Sequence, residues 1–156
     1  ISSVSAEATH HDQNFEKEDA VAISLKFANQ AVGSFLLSDR TPSPWTWEMA
    51  LGESVKFPKT GMNAIRFLGT EGALEFPNLV LWRHAEGNGN WHHEIGPEVI
   101  DAPFIDAYVA QCAHLRAVTR GFETPIIDAL NGSRSLDATL AAARAATSGT
   151  RIKLSM

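Results

Sequence analysis

Residues 20–38, Ala20-Val21-Ala22-Ile23-Ser24-Leu25-Lys26-Phe27-Ala28-Asn29-Gln30-Ala31-Val32-Gly33-Ser34-Phe35-Leu36-Leu37-Ser38, decide how this chain folds. Val21, Ile23, Leu25 and Phe27 alternate with Ala20, Ala22 and Ser24, the period of two that puts one face of a strand inside and the other outside. Asn29-Gln30 reads as a two-residue hairpin turn, or one a residue longer, returning the chain as a second strand over 31–38. A non-glycine residue at the second turn position, where φ is positive, is mildly strained.

The same period runs through the first hundred residues. Val4, Ala6 and Ala8 already read as a strand. Trp45, Trp47, Met49 and Leu51, alternating with Thr46, Glu48 and Ala50, predict another. Residues 64–68 and 73–76 flank Gly69-Thr70-Glu71-Gly72 as a second hairpin, ended by Pro77, which offers no ladder donor. Residues 79–83 and 91–95 surround the turn-rich Glu86-Gly87-Asn88-Gly89-Asn90. From Asp101 the period becomes helical. Asp101 suits a cap and Pro103 a first turn, with Phe104, Tyr108, Cys112, Leu115 and Val118 or Thr119 as an apolar stripe ending at Gly121. A second helix is predicted from Asp128 to Gly149, packing through Ala129, Ser133, Leu136, Leu140, Ala143 and Thr147. Residues 151–154 close the chain as a short strand. Short adjacent strands with tight turns pair antiparallel. The predicted fold is therefore α+β, a predominantly antiparallel open sheet with helices packed on one face.

At 156 residues, 44% hydrophobic and 20% charged, the composition is that of one globular domain, expected to bury about 70% of its unfolded surface. A net charge of −5 without a basic cluster argues against nucleic acid. No apolar run reaches the roughly 20 residues of a membrane helix. The first ten residues lack the basic start and apolar stretch of a signal peptide, so a cytoplasmic location is expected. The chain opens on Ile1 inside a strand pattern, as expected of a trimmed or proteolysed piece of a longer protein or, alternatively, of a processed exported domain.

Chemistry-bearing motifs are few. No G-x-G-x-x-G, P-loop or G-x-S-x-G is present, and Gly87-Asn88-Gly89 opens no helix. His92 and Glu94 would share a strand face, with His93 on the other and His84 across the hairpin, but solvated histidines are the simpler account; His10-His11 would point opposite ways. Cys112 and His114 do not face each other on a helix, which makes Cys112 a small core residue rather than a nucleophile. Asn131-Gly132-Ser133 matches a glycosylation triplet but falls inside the second helix. No catalytic, cofactor-binding or metal-binding residue is therefore assigned. Ser38-Asp39-Arg40-Thr41-Pro42-Ser43-Pro44-Trp45-Thr46-Trp47-Glu48 is the best candidate for substrate binding. Ser38, Asp39 and Arg40 offer hydrogen bonds to hydroxyls, and the indoles of Trp45 and Trp47 can cover sugar C–H bonds. Arg66, between Ile65 and Phe67, is a weaker candidate. The competing account is structural: the tryptophans fill core or interface volume and Asp39 caps a turn.

Three stretches carry a family resemblance. They are residues 18–34, continuing to Ser38-Asp39 and Ser43-Pro44-Trp45-Thr46-Trp47-Glu48; Gly69-Thr70-Glu71-Gly72-Ala73-Leu74-Glu75-Phe76-Pro77; and Val118-Thr119-Arg120-Gly121 through Pro125 and Arg134 to Thr147-Ser148-Gly149-Thr150-Arg151. Together, over about residues 4 to 154, they resemble the C-terminal domain of the glucose–fructose oxidoreductase, inositol dehydrogenase and MocA family. The resemblance implies a fold of the glyceraldehyde-3-phosphate dehydrogenase-like C-terminal type. It implies that residues 1–156 form a single substrate-binding and oligomerisation domain, whose intact parent moves a hydride between NAD or NADP and a sugar, polyol or related hydroxy compound. Family members usually carry glycine where Gln30 stands. The family's Glu-Lys-Pro turn and Asp-x-x-x-His helix are absent: Glu18 stands where a proline would follow Glu16-Lys17, and no aspartate has histidine four residues on. The cofactor half is likewise absent, so no cofactor is expected in this chain and no turnover from it alone. Apolar residues on both faces of several strands, Phe35 and Leu37 against Leu36 and Ile65 and Phe67 against Ala64 and Leu68, imply a homo-oligomer through the open sheet face. A free-standing sugar-binding or dimerisation module, and a metal enzyme built on the histidines, are the alternatives.

Overall fold

A computed structural model describes residues 1–10, 17–84, 89–103 and 105–155. In chain order the elements are β1 (Ser3–Thr9), β2 (Ala20–Lys26), β3 (Val32–Ser38), α1 (Trp47–Leu51), β4 (Ile65–Leu68), β5 (Ala73–Phe76), β6 (Val80–His84), β7 (Ile95–Val99), α2 (Ala107–Thr119), α3 (Ala129–Ser148) and β8 (Ile152–Lys153). They form two four-stranded antiparallel sheets, ordered β3-β2-β1-β8 and β4-β5-β6-β7, in an α+β architecture. Two compact units divide the chain, Ile1–Thr41 with Ala117–Met156, and Pro42–Arg116.

In the first unit, β2 and β3 pair from Ala20↔Ser38 to Lys26↔Val32, as the alternation of residues 20–38 predicts. The turn is the longer form: Phe27 N–H donates to the Ala31 carbonyl at 2.9 Å, and Gln30 adopts φ 72°. Gln30 thus occupies a left-handed position without glycine's freedom. Direct partners in an antiparallel pair share a face, so Val4, Ala6 and Ala8 stand with Leu25, Ile23 and Val21. That face receives α3: Val4 and Ala6 are buried, against Ala138, Ala141 and Ala145 of the helix. Asp128 caps α3 by accepting the Asn131 N–H at 2.7 Å, and Gly149 ends it at φ 64°.

The buried stripe of α3 differs from the one expected. Ala129, Ser133, Leu136, Leu140, Ala143 and Thr147 are all exposed, Leu136 at 58% and Leu140 at 48%. Both stripes satisfy a 3.6-residue period. The alanine stripe lies inside because a helix approaches a flat sheet most closely through methyl groups.

In the second unit the Gly69–Gly72 hairpin forms as expected, with Gly69 N–H donating to the Gly72 carbonyl at 2.9 Å. A Cβ on Gly72 would stand 2.7 Å from the Trp82 carbonyl oxygen, so the β5–β6 approach requires glycine there. Residues 45–51 are not a strand. Thr46 accepts the Met49 N–H and opens the short helix α1, and Gly52 closes it at φ 69°. Over seven residues the alternation of Trp45, Trp47, Met49 and Leu51 fits a strand, but the threonine cap and closing glycine favour one helical turn. The strand foreseen over 91–95 begins only at Ile95, since Asn90–His93 form a turn. α2 begins at Ala107, where Asp106 accepts the Val109 N–H at 3.0 Å, and not at Asp101. No residue of α2 is buried: Tyr108 and Leu115 of the foreseen stripe are exposed, and so is Cys112, contrary to the core position expected. Phe104 and Gly87-Asn88 lie outside the described residues, as does His11.

The accessible surface is 12,775 Å². Two separate globules of these units' sizes would together expose only roughly 9,300 Å². The chain therefore buries less than its length predicts, and large apolar side chains are among those left open: Val32, Leu36, Leu68 and Val99 are each more than 70% exposed.

Candidate functional site

Each of the six candidates has a definable setting. In the first unit, β3 ends at Ser38, whose hydroxyl contacts the Thr41 hydroxyl at 3.0 Å and accepts the Arg40 N–H at 3.3 Å. Ser38 therefore shapes the turn that leaves the strand. Arg40 places Nε 2.6 Å from Oδ1 of Asp19, whose side chain is only 11% exposed. Asp19 also donates its N–H to the Thr9 carbonyl, and its own carbonyl accepts the Asp39 N–H. One buried aspartate thus ties the ends of β1, β2 and β3 together. Asp39 is exposed, and among the described residues its carboxylate has no hydrogen bond or ion pair. Of the three polar residues here, Asp39 is the one whose head group remains free for a ligand.

In the second unit, Trp47 stacks on Phe76 with ring centroids 5.5 Å apart and planes at 24°. One indole face is occupied, and Trp47 is still 48% exposed. Trp45, just before the Thr46 cap, is 59% exposed and donates its N–H to Ser43 Oγ at 3.2 Å. Thr60 fixes this turn by donating to the Pro44 carbonyl at 2.8 Å. Arg66 crosses to Glu75, Nε to Oε1 at 3.2 Å, while Glu75 Oε2 accepts from Asn63 Nδ2 at 2.9 Å. Asn63 accepts the Asn78 N–H, and Asn78 Nδ2 donates to the Gly61 carbonyl at 2.8 Å. Arg66 keeps 71% of its side chain exposed, so its remaining N–H groups are open to a ligand. Ser38, Asp39 and Arg40 belong to one unit, and Trp45, Trp47 and Arg66 to the other.

Sequence reasoning missed Asp19, Glu75 and Asn63. Glu75 was discoverable: counting outward from the Gly69–Gly72 hairpin puts it opposite Arg66. Asp19 carries no such signal, because its partner Arg40 is not a strand residue. The histidines arrange differently from the expectation. His93, not His92, approaches His84, with ring centroids 6.3 Å apart, and His84 Nδ1 is 3.0 Å from the Glu94 carbonyl. Among the described residues no three His, Cys, Asp or Glu side chains converge as a metal site. No helix there is long and apolar enough to cross a membrane. Two shallow concavities lie along α3 and β8, one lined by Arg134, Asp137 and Leu154 and the other by Arg144, Thr147 and Ile152. None of the six candidates lines either.

Searches of family models and of curated proteins return no match. Solved structures do match, over nearly the whole chain. The WlbA dehydrogenase from Bordetella pertussis, in complex with NADH and UDP-GlcNAcA, is 22% identical with a TM-score of 0.61, over 99% of this chain and 39% of its own. The aldose–aldose oxidoreductase from Caulobacter crescentus, complexed with glycerol, is 21% identical with a TM-score of 0.62, over 98% of this chain and 41% of its own. The protein yvaA from Bacillus subtilis reaches a TM-score of 0.69 at 11% identity, over 99% of this chain and 45% of its own. The fold is thus one shared with oxidoreductases of the glucose–fructose oxidoreductase, inositol dehydrogenase and MocA type. This chain spans roughly two fifths of the length of the first two.

Proposed function

We propose that this chain is the C-terminal half of an NAD(P)-dependent oxidoreductase acting on a sugar, polyol or related hydroxy compound. It forms one substrate-binding and oligomerisation domain. The observation that carries this reading is the fold shared along 98–99% of the chain with enzymes solved in complex with NADH and a nucleotide sugar, or with glycerol. The cofactor and the proton-transfer residues belong to the other half, and the intact protein works in the cytoplasm.

In the first unit, taken by itself, the Asp39 carboxylate is available to accept from a hydroxyl; in the second, taken by itself, the exposed part of Arg66 can donate to one and the open indole faces of Trp45 and Trp47 can cover C–H bonds. Ser38 and Arg40 hold the turn that presents Asp39. The apolar side chains left open on the sheets, Leu36, Phe67 and Leu68 among them, form the contact with a second copy, burying on the order of 800 Å² per partner.

The test is the coding sequence upstream of Ile1 followed by assay of the intact protein. A G-x-G-x-x-G turn and a Glu-Lys-Pro turn are expected there, with sugar- or polyol-dependent reduction of NAD(P). An upstream frame encoding no nucleotide fold, or an intact protein inert toward a panel of sugars and polyols with either cofactor, overturns the reading.

A further inference from the structure

The open face of the β3-β2-β1-β8 sheet, opposite α3, has its charge gathered at one end. In register, Ser3 lies between Lys26 on β2 and Lys153 on β8, all three on this face. In the next row Ser5, Ser24 and Ser34 align across three strands. Arg151 is drawn onto the same face by a hydrogen bond from its Nε to Ser5 Oγ at 3.2 Å. Lys26 and Lys153 are two strand spacings apart, about 10 Å between Cα atoms. Both are exposed, and Ser3 between them is buried, 7% exposed.

The charge balance makes this grouping informative. The chain has 18 acidic and 13 basic residues. Its other strand and strand-end cations are matched: Arg40 with Asp19, Arg66 with Glu75, and Arg83 with Glu98. Among the described residues, Lys26, Lys153 and Arg151 are in no ion pair. The one carboxylate on the strands of this face, Glu7, stands beyond Ser5, away from both lysines. Three uncompensated cations round a row of hydroxyls offer both charge and short donors to one tetrahedral dianion.

We propose that this end of the open face binds a phosphate dianion, either inorganic phosphate or the phosphate of an organic ester. The inference goes beyond the oxidoreductase reading and does not rest on it; Leu36, assigned above to the contact with a second copy, stands in the row of Ala22 and Glu7, toward the other end of the face from Lys26 and Lys153. Because the cations are exposed, each contact is weak, and affinity in the low millimolar range that falls with salt is expected.

The experiment is a titration of the full chain with inorganic phosphate, and in parallel with a hexose 6-phosphate, followed by amide chemical shifts. Saturable shifts at Ser3, Ser5, Ser24, Lys26, Arg151 and Lys153 are expected. A K26A/K153A variant should lose at least tenfold in affinity with its circular dichroism unchanged, while R144A on α3 should bind as the parent does. Tighter binding of the ester identifies an organic phosphate as the ligand, and equal binding identifies the free anion. Absence of saturable shifts at this face in the parent chain overturns the proposal, whatever the variants do. So does undiminished affinity in K26A/K153A.

Discussion

Arg40 and Arg66 each pair with a carboxylate, but the carboxylates sit at different depths. Asp19 is 11% exposed at its side chain, and removing Arg40 takes away a guanidinium 2.6 Å from a largely buried carboxylate. R40M is expected to cost about 1–3 kcal/mol. The Arg66–Glu75 pair is open on the arginine side, and R66M should cost no more than about 0.5 kcal/mol. Urea midpoints for the two variants measure the contrast. Equal losses would show that Asp19 does not depend on Arg40. Asp39, beside Arg40 in sequence, carries no bond through its carboxylate among the described residues, so D39N should leave the midpoint unchanged. In the intact oxidoreductase proposed above it should raise KM about tenfold at similar kcat. A strong fall in stability would make Asp39 a turn residue instead. Residue identity in the sequence pointed to this polar run, but depth did not. Nothing in local spacing or composition separates Asp19, which closes three strands, from an aspartate facing water.

At the scale of elements, legibility followed length. The hairpin of β2 and β3 was legible from the period of two in β2, while its register is that of the longer of the two turns expected and not of a two-residue Asn29-Gln30 turn. Residues 45–51 are too few for a period to decide between strand and helix, and the Thr46 cap settles it. α3 was legible in extent and not in orientation, because its alanines provide a second stripe beside the leucines. A141L, pushing a larger side chain against β1, should cost about 1–3 kcal/mol. L140A removes a half-exposed side chain and should cost under about 1 kcal/mol, so thermal melts of the two variants reveal which stripe is inside. At the hairpin, Q30G relieves the left-handed strain and should stabilise by about 0.5–1 kcal/mol, read as a higher melting temperature.

For the whole molecule, the area left open is the governing quantity. Self-association at micromolar concentration is expected, and light scattering should give a mass above that of one chain. L36E, on the open face and 81% exposed, should return it toward the monomer. A monomeric parent chain would remove the oligomer from the proposed function. Calorimetric titration with NAD should give no appreciable heat; micromolar affinity would place nucleotide binding inside these residues and undo the division of labour. The α+β class was readable because periodicity reports local pattern. The two-unit division was not, since it depends on which apolar faces find each other.

β3 closes one side of its sheet with Val32-Gly33-Ser34-Phe35-Leu36-Leu37-Ser38, a run without charge or proline. Natural proteins usually guard such a rim with lysine, proline or a bulge. Left bare, it can template strand addition from any unfolded neighbour, so the preparation should turn fibrillar on long storage or mild heating, binding thioflavin, and a lysine gatekeeper at Ser34 should delay that onset.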